Sequence, residues 1–509
     1  MAATITESLK RDILTDLYNS TQNVGLDSGQ DSDRFYLAIG RSEEWDSDVE
    51  PPAPTPSNRS VKDFQASIQS MKLVPDVSYV VPRHSWTAGN FYEAWDDEYN
   101  SNTTISASGD IQNPYYVLTD DDNVYVCLQK GYTSQAIPRQ SLYKPIDTSG
   151  NPFSAGDDGY IWKFMYNIGA AESRKYITSA YMPVEKVLDS SQTNIPFDNL
   201  SVSRRQQFGL QNNAIPGQII GIAVDSGGSG FTSKPTITIT PISRNTLTKF
   251  DSAQLDSDVT PAQAFARIHN GSIYEVIMKA DSTDGDSVGT FTFGKNYFDA
   301  SITVSGGGGT GAKLRAIIAN DSGMGGNPIK DLNSSAIMFN ATLDGTENND
   351  FQVTNDFRQI GIIKNPLKDS AQYPGFSGDS AASDVTLNAL KKLYVAGGLN
   401  YSNILGDETV IGSVSNARAV LDYFDETNDI LYVHQTRETG FKPFTDSDTV
   451  SVGAGGSGIS VIPNPAGGQP VLRPAEVNNF SGEVIYIDNR SPVTRDNEQT
   501  EDIKIVIDL

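Results

Sequence analysis

Two runs with a spacing of two close the sequence and constrain the fold most. In Glu483-Val484-Ile485-Tyr486-Ile487, Val484 and Tyr486 fall on one face of an extended chain and Glu483, Ile485 and Ile487 on the other. In the second run, Ile503, Ile505, Ile507 and Leu509 alternate with Asp502, Lys504, Val506 and Asp508. This period does not fit a helix of 3.6 residues per turn, so the chain is expected to end inside a sheet. Asp488-Asn489-Arg490-Ser491-Pro492 between the runs favours a turn, and the acidic stretch Asp496 to Glu501 follows it.

Similar short runs recur along the sequence. Helix periodicity is clear only at Thr6 to Tyr18, where Leu9, Ile13, Leu14 and Leu17 share a face and Thr6 or Ser8 caps the start, and a short helix is expected at Ser60 to Met71. Arg34 to Gly40 reads as a buried strand. It leads through Arg41-Ser42-Glu43-Glu44-Trp45 to Pro51-Pro52-Ala53-Pro54-Thr55-Pro56, where proline density stiffens an extended connection and excludes ladder pairing. Further strands are expected around Val77 to Val81, Tyr115 to Leu118, Val124 to Leu128, Tyr160 to Ile168 and Ile177 to Met182.

Two segments differ in composition from the rest. Residues 217–318 are rich in Gly, Ser and Thr and contain a repeat. Gly217 through Val224 aligns with Gly271 through Met278, Thr236-Ile237-Thr238-Ile239 with Ser301-Ile302-Thr303-Val304, and Ala264 through Ile268 with Leu314 through Ile318. Residues 389–470 carry short strands around Thr409 to Ile411, Ala417 to Leu421, Ile430 to Val433 and Thr449 to Val452. Phe351 to Lys368, between the two segments, matches the pattern of the first 216 residues. The expected fold is mainly β: a multi-domain, β-sandwich-like framework with short helices, formed by residues 1–216, 319–388 and 471–509 and carrying two inserted small β domains at 217–318 and 389–470.

A chain of 509 residues exceeds one ordinary core, and its 22 Tyr and 21 Phe suit several half-buried sheets. The formal charge of −25 opposes binding to nucleic-acid phosphates or anionic membranes, and no Lys/Arg cluster is dense enough to reverse it. The single cysteine, Cys127, excludes an intrachain disulfide framework and sits in the apolar run Val124 to Leu128, where it reads as a small core hydrophobe. The first twenty residues lack the apolar core of a signal peptide, and no later run reaches the length of about 18 apolar residues that spans a membrane, so a soluble chain is expected.

The motifs that carry chemistry in other proteins have bland readings here. Gly306/Gly308/Gly311 and Gly453/Gly455/Gly458 match the spacing of a dinucleotide loop, but strand-like residues follow both where that loop requires a helix, so turns are expected. His84, His269 and His434 are isolated and read as ordinary hydrogen-bonded or surface histidines. Asp120-Asp121-Asp122 and Asp281 to Asp286 read as solvated turns rather than calcium loops. Trp86, Phe91, Tyr92 and Trp95 read as core packing under a loop in preference to a sugar or partner surface. The sequence thus nominates no catalytic, cofactor-binding or metal-binding residue, although a pair of hydrolytic carboxylates needs only spatial proximity and leaves no motif.

Five ordered blocks carry a resemblance. They are Phe35 to Trp45 with the prolines after it, Val81-Pro82-Arg83-His84-Ser85-Trp86, Gly156 to Phe164, Phe357 to Leu367, and residues 481–509 (SGEVIYIDNRSPVTRDNEQTEDIKIVIDL). Together they resemble the gene-eight baseplate wedge protein family of T-even-type contractile-tailed bacteriophages; both inserted segments fall outside the pattern. The resemblance implies a β-rich structural subunit of the virion, assembled in the host cytoplasm. It further implies a homodimer within each of six wedges, joining other wedge proteins around the tail hub, with no catalytic residues, cofactor, nucleic acid, membrane or small-molecule substrate. A virion-borne polysaccharide hydrolase and a receptor-binding module are the rival expectations, distinguished by converging carboxylates in a cleft or by recognition loops on an insert.

Overall fold

The computed structural model describes residues 6–21, 33–100, 103, 113–187, 197–243, 259–280, 290–354, 356–368, 381–404, 407–464 and 470–509. The chain opens with α1 (Glu7–Thr21), β1 (Phe35–Gly40), α2 (Asn58–Ala66), β2 (Ile68–Leu73), β3 (Asp76–Pro82), β4 (Tyr116–Leu118) and β5 (Asn123–Gln129). It continues through β6 (Phe153–Ser154), β7 (Ile161–Asn167), α3 (Ala170–Tyr176), β8 (Tyr181–Val184) and α4 (Val202–Asn212). Next come β9 (Ile219–Ser229), β10 (Thr236–Ser243), β11 (Phe265–His269), β12 (Ser272–Ile277), β13 (Tyr297–Ser305), β14 (Thr310–Ile318), α5 (Pro328–Asp331) and β15 (Ala336–Asp344). The last strands are β16 (Phe357–Lys364), β17 (Thr386–Asn388), β18 (Lys391–Tyr394), β19 (Thr409–Gly412), β20 (Arg418–Asp425), β21 (Ile430–His434), β22 (Thr449–Val452), β23 (Gly456–Ser460), β24 (Glu483–Val493) and β25 (Thr500–Asp508). The fold is mainly β and multi-domain, with short helices.

Contacts divide the chain into two compact units, one of Met1–Asp16, Ser78–Ile337 and Asp508–Leu509, the other of Leu17–Val77 and Met338–Ile507. The first unit has an aromatic core on the sheet β4-β5-β7-β6. Trp162 stacks on Tyr160 at 5.9 Å and takes the edge of Tyr92 at 5.4 Å, while Tyr125, Phe164 and Cys127 fill the same cluster. Residues 217–318 belong to this unit and pair as β9 with β14, β10 with β13, and β11 with β12.

That pairing follows the sequence repeat residue by residue. Ile222 faces Ala316, and their repeat equivalents Val276 and Ala266 face each other. Ile219 faces Ile318 as Ile273 faces Ile268, and both ladders slip register at the equivalent step, Ile317/Ile318 and Arg267/Ile268. In the third pair Thr238 faces Thr303, its own equivalent. The pattern is therefore unchanged when the two copies are exchanged, an internal two-fold centred on Thr238 and Thr303.

The second unit contains the five-stranded sheet β17-β2-β1-β16-β24. All six residues of β1 are buried, and β16 is buried except for Lys364, the signature of central strands covered on both faces. Helix α2, capped by Ser57 accepting from Ser60 N, lays Phe64 over this sheet among Tyr36, Ile68, Met71 and Ile363. Residues 391–460 form the separate sheet β18-β21-β20-β19-β22-β23 with its own core of Leu393, Val410, Leu421, Leu431, Val433 and Val450.

Several expectations need correction. The helix expected over Ser60 to Met71 stops at Ala66, because Ser67 turns back onto Phe64 O and the next residues pair with β1. The turn expected at Asp488 to Pro492 is strand: β24 runs through it, with Gln359 Nε2 donating to Asn489 Oδ1 at 2.7 Å, and Pro492 is tolerated because β24 lies at the sheet's edge. The strand expected from Ile177 begins only at Tyr181, after α3, and α1 buries Leu14 but leaves Leu9 and Ile13 half exposed.

Gly361 permits the approach of α2 to the sheet. A Cβ there would stand 2.5 Å from the Phe64 ring and 2.7 Å from Tyr486 O. Gly361→Ala is expected to destabilise this unit by about 1–3 kcal/mol through overpacking. Gly209→Ala, in α4 with open space around it, should instead stabilise by up to about 1 kcal/mol. Chemical denaturation of both variants checks the contrast.

Candidate functional site

The connection between β1 and α2 in the second unit gathers charges from strands distant in sequence. Arg358 on β16, only 5 % exposed, holds the Asp48 carboxylate through Nε and Nη2 at 3.0–3.1 Å and donates Nη1 to Ser42 O. Trp45 lies under the Arg41 guanidinium at 3.7 Å and donates its indole N–H to Arg490 O at 3.0 Å. Asn489 Nδ2 donates to Pro52 O at 2.7 Å, which fixes the proline-rich stretch against β24.

His434, at the end of β21, completes this node. Its Nδ1 lies 2.5 Å from Asp422 Oδ2 on the neighbouring strand β20, and its Nε2 lies 3.2 Å from Glu43 Oε1 on the β1–α2 connection. Asp422 Oδ1 also accepts from Ser42 Oγ at 3.1 Å and from Gln69 Nε2 at 3.0 Å. Burial alone would lower the imidazole's pKa, but the charges of Asp422 and Glu43 and their hydrogen bonds overcome this and raise it to about 10. Burial likewise opposes the charge on Glu43, and the His434 cation and hydrogen bond nevertheless hold its carboxyl down at about 2. The node is a buried cation between two carboxylates, clamping the β18–β23 sheet onto the β1–α2 connection.

A separate cleft of about 560 Å³ lies in the first unit, between β9 and β12 on one side and residues 93–99 and 128–132 on the other. Asp225 lines it, and three further carboxylates there are engaged in ion pairs. Glu93 pairs with Lys130 at 2.5 Å, Asp96 with Arg315 at 2.7 Å, and Glu275 with Arg267 at 3.0 Å and with Gln129 at 2.9 Å. Of these contacts, Arg315 on Asp96 and Gln129 on Glu275 tie the 217–318 segment to residues 93–130, whereas the other two ion pairs are internal to one side or the other.

The first Gly-rich run is a turn that leads into β14, and the second is a single 3-10 turn, Gly453–Gly455, that leads into β23, so neither opens an α-helix to receive a pyrophosphate. Cys127 is fully buried, and desolvation pushes its thiol far above the usual range. His84 sits edge-on to Tyr116 at 5.1 Å, its pKa lowered by burial, and His269 ends β11. Lys144 bridges Asp120 and Asp121 at 2.7 Å each, while Asp281 to Asp286 lie outside the described residues. Tyr92 and Trp95 are buried and Trp86 packs against the aromatic core, whereas Phe91 is exposed. Among the described residues, no group of three or more His, Cys, Asp and Glu side chains has the geometry to hold a metal ion. Sequence reasoning missed the partners of His434: its one local signal is Asp422, twelve residues before it, and Glu43 lies on a distant connection.

Comparison with known proteins places the chain near one class, the structural components of phage tail baseplates. It is 24 % identical over 239 residues to the baseplate wedge protein gp8 of Enterobacteria phage T4, covering 41 % of this chain and 69 % of that protein. No protein-family model matches the chain. The similarity is distant and supports a baseplate-wedge-like relationship.

His434 above its ordinary value near 6.5 contributes stability that is complete below that pH and is lost as pH rises through about 10. Glu43, below its ordinary 4.5, contributes stability that is complete above that pH and is lost as pH falls through about 2. His434→Gln is therefore expected to cost about 3 kcal/mol near pH 6, by leaving the Asp422 and Glu43 carboxylates without their shared cation, and to flatten the decline in stability between pH 6.5 and 10. Guanidinium denaturation at pH 6 and pH 9 checks both; parallel losses in wild type and variant would show a neutral imidazole.

Proposed function

We propose that this chain is a structural subunit of a phage tail baseplate wedge, acting as a homodimer that joins wedge components around the tail hub during assembly and contraction. The observation that carries the reading is the similarity to the T4 baseplate wedge protein. It is supported by exposed apolar side chains of the first unit: Phe91, Pro138, Leu142 and Tyr143 share a shallow recess with Arg139, Gln140, Asp157 and Asp158, beside Ile137, and Phe91, Ile137, Leu142 and Tyr143 are 41–56 % exposed. Such a surface suits a partner. The charge of −25 keeps copies apart at distance, yet the Debye length is only about 8 Å at physiological salt, so burial of apolar area prevails once surfaces meet. Sedimentation should show a dimer that persists or tightens as salt rises, and a mixture of wedge proteins should take up the chain in fixed proportion. A strict monomer that stays out of wedges overturns the reading, as does cleavage of a host-surface glycan.

Residues 217–318 and 389–470 are further proposed as modules inserted into a framework of residues 1–216, 319–388 and 471–509. Deleting residues 217–318 behind a short linker is expected to leave cooperative unfolding of the remainder, followed by circular dichroism. Loss of cooperativity would show that the segment shares the core.

A further inference from the structure

We propose that the outer edge of β10 docks a second copy of this chain, β10 of each copy pairing antiparallel with the other about Thr238. The starting point is the ribbon β10–β13, a sheet of two strands. β14 packs beside β13 and β11 approaches β10 without pairing to it, and an unpaired edge presents N–H and C=O groups that invite another strand. Among the described residues, no backbone hydrogen bond reaches β10 from any strand but β13.

Natural edges are defended by charge, proline or a bulge. In β10 these defences stand at its far end, in Pro241 and the bulge at Ile242/Ser243, and just before its near end, in Lys234 and Pro235. Thr236 to Thr240 carries none. From Thr236 to Ile242 there is no charged side chain, so in a protein of net charge −25 no like charge within this stretch opposes the approach of another copy.

The second copy is the occupant because the required pairing is already present within the molecule. Thr236-Ile237-Thr238-Ile239-Thr240 pairs antiparallel with Ser301-Ile302-Thr303-Val304-Ser305, which has the same alternation of hydroxyl and β-branched apolar residues. The hydroxyl residues meet on the exposed face, as Thr236 with Ser305, Thr238 with Thr303 and Thr240 with Ser301. The half-buried apolar residues meet on the other, as Ile237 with Val304 and Ile239 with Ile302. Two β10 strands centred on Thr238 repeat that arrangement: Thr236 faces the other copy's Thr240, Ile237 its Ile239, and Thr238 itself. The contact is isologous and closes as a dimer. It stands apart from the apolar recess and does not rest on the wedge reading.

The test uses the full chain with Thr238→Cys, since the native Cys127 is buried and silent. Residues directly opposite in an antiparallel pair have Cβ atoms about 4.5–5.5 Å apart, close enough for copper–phenanthroline oxidation to join them with slight adjustment. A covalent dimer is expected from Thr238→Cys and not from Ser413→Cys, on an exposed turn of the other unit. Thr238→Lys sets two like charges on the axis and should slow sedimentation toward the monomer while leaving circular dichroism and unfolding unchanged. A dimer that survives Thr238→Lys, with no cross-link at Thr238→Cys, overturns the β10 contact and leaves the wedge dimer standing. A dimer that cross-links at Thr238 but stays out of wedges does the reverse.

Discussion

The second unit depends on one antiparallel pairing between strands far apart in sequence, with Phe35 opposite Lys364 and Ile39 opposite Ile360. Both strands are buried on both faces, so their register is fixed by apolar packing, and a slip of one residue would exchange every side chain between faces. After β2 the chain has to leave this sheet and return to it at Phe357. The entropic cost of closing a loop grows only logarithmically, about 0.6 kcal/mol for each doubling of length, so a sheet able to hold these ends tolerates long excursions. That tolerance gives a physical account of how β1 and β16 stay paired although residues 78–337 lie between them in sequence.

Charge does different work from burial. The ions at Arg358, Asp48, His434, Asp422 and Glu43 lie where desolvation offsets much of their attraction, so their net contribution to stability is modest even though removing one partner is costly. Their effect is to select geometry. An apolar contact between the β18–β23 sheet and the β1–α2 connection would allow sliding, whereas a histidine cation between two carboxylates, with Ser42 and Gln69 on the remaining oxygen of Asp422, admits one arrangement. In the first unit, Arg315 on Asp96 and Asp97 braces the 217–318 segment in the same way, and Arg267 on Glu275 ties β11 to β12 within it.

Much of the fold was legible because strands of period two announce themselves. Three of the blocks that carried the family resemblance, Phe35 to Trp45, Phe357 to Leu367 and residues 481–509, supply the adjacent strands β1, β16 and β24. The repeat in 217–318 was readable to the residue, since its alignment reproduces the ladder register and its bulge. Helix α4 was not readable, because the face it buries is polar: Gln211 pairs with Val187 N and O, and Gln207 donates to Glu185 O, so no apolar stripe marks it. The strand through Asn489 and Pro492 was hidden by turn residues that edge pairing overrides. The node around His434 was illegible for a plainer reason, that Glu43 and His434 are brought together only by the tertiary fold.

The internal two-fold of residues 217–318 bears on how such a segment can serve an assembly without endangering the free protein. Duplication lets β9, β11, β12 and β14 satisfy one another within the chain, so the symmetric pairing that would otherwise need two molecules is completed intramolecularly. Among the described residues, what remains open is the edge of a short ribbon. Free copies carrying −25 each repel over the range of the Debye length, which slows encounter, but the edge from Thr236 to Thr240 carries no charge of its own and can still pair once two copies meet. Copies tethered by any other contact would meet at effective concentrations in the millimolar range, where the same pairing is more fully populated. An isologous pairing of this kind closes at two copies and leaves no β10 edge for a third.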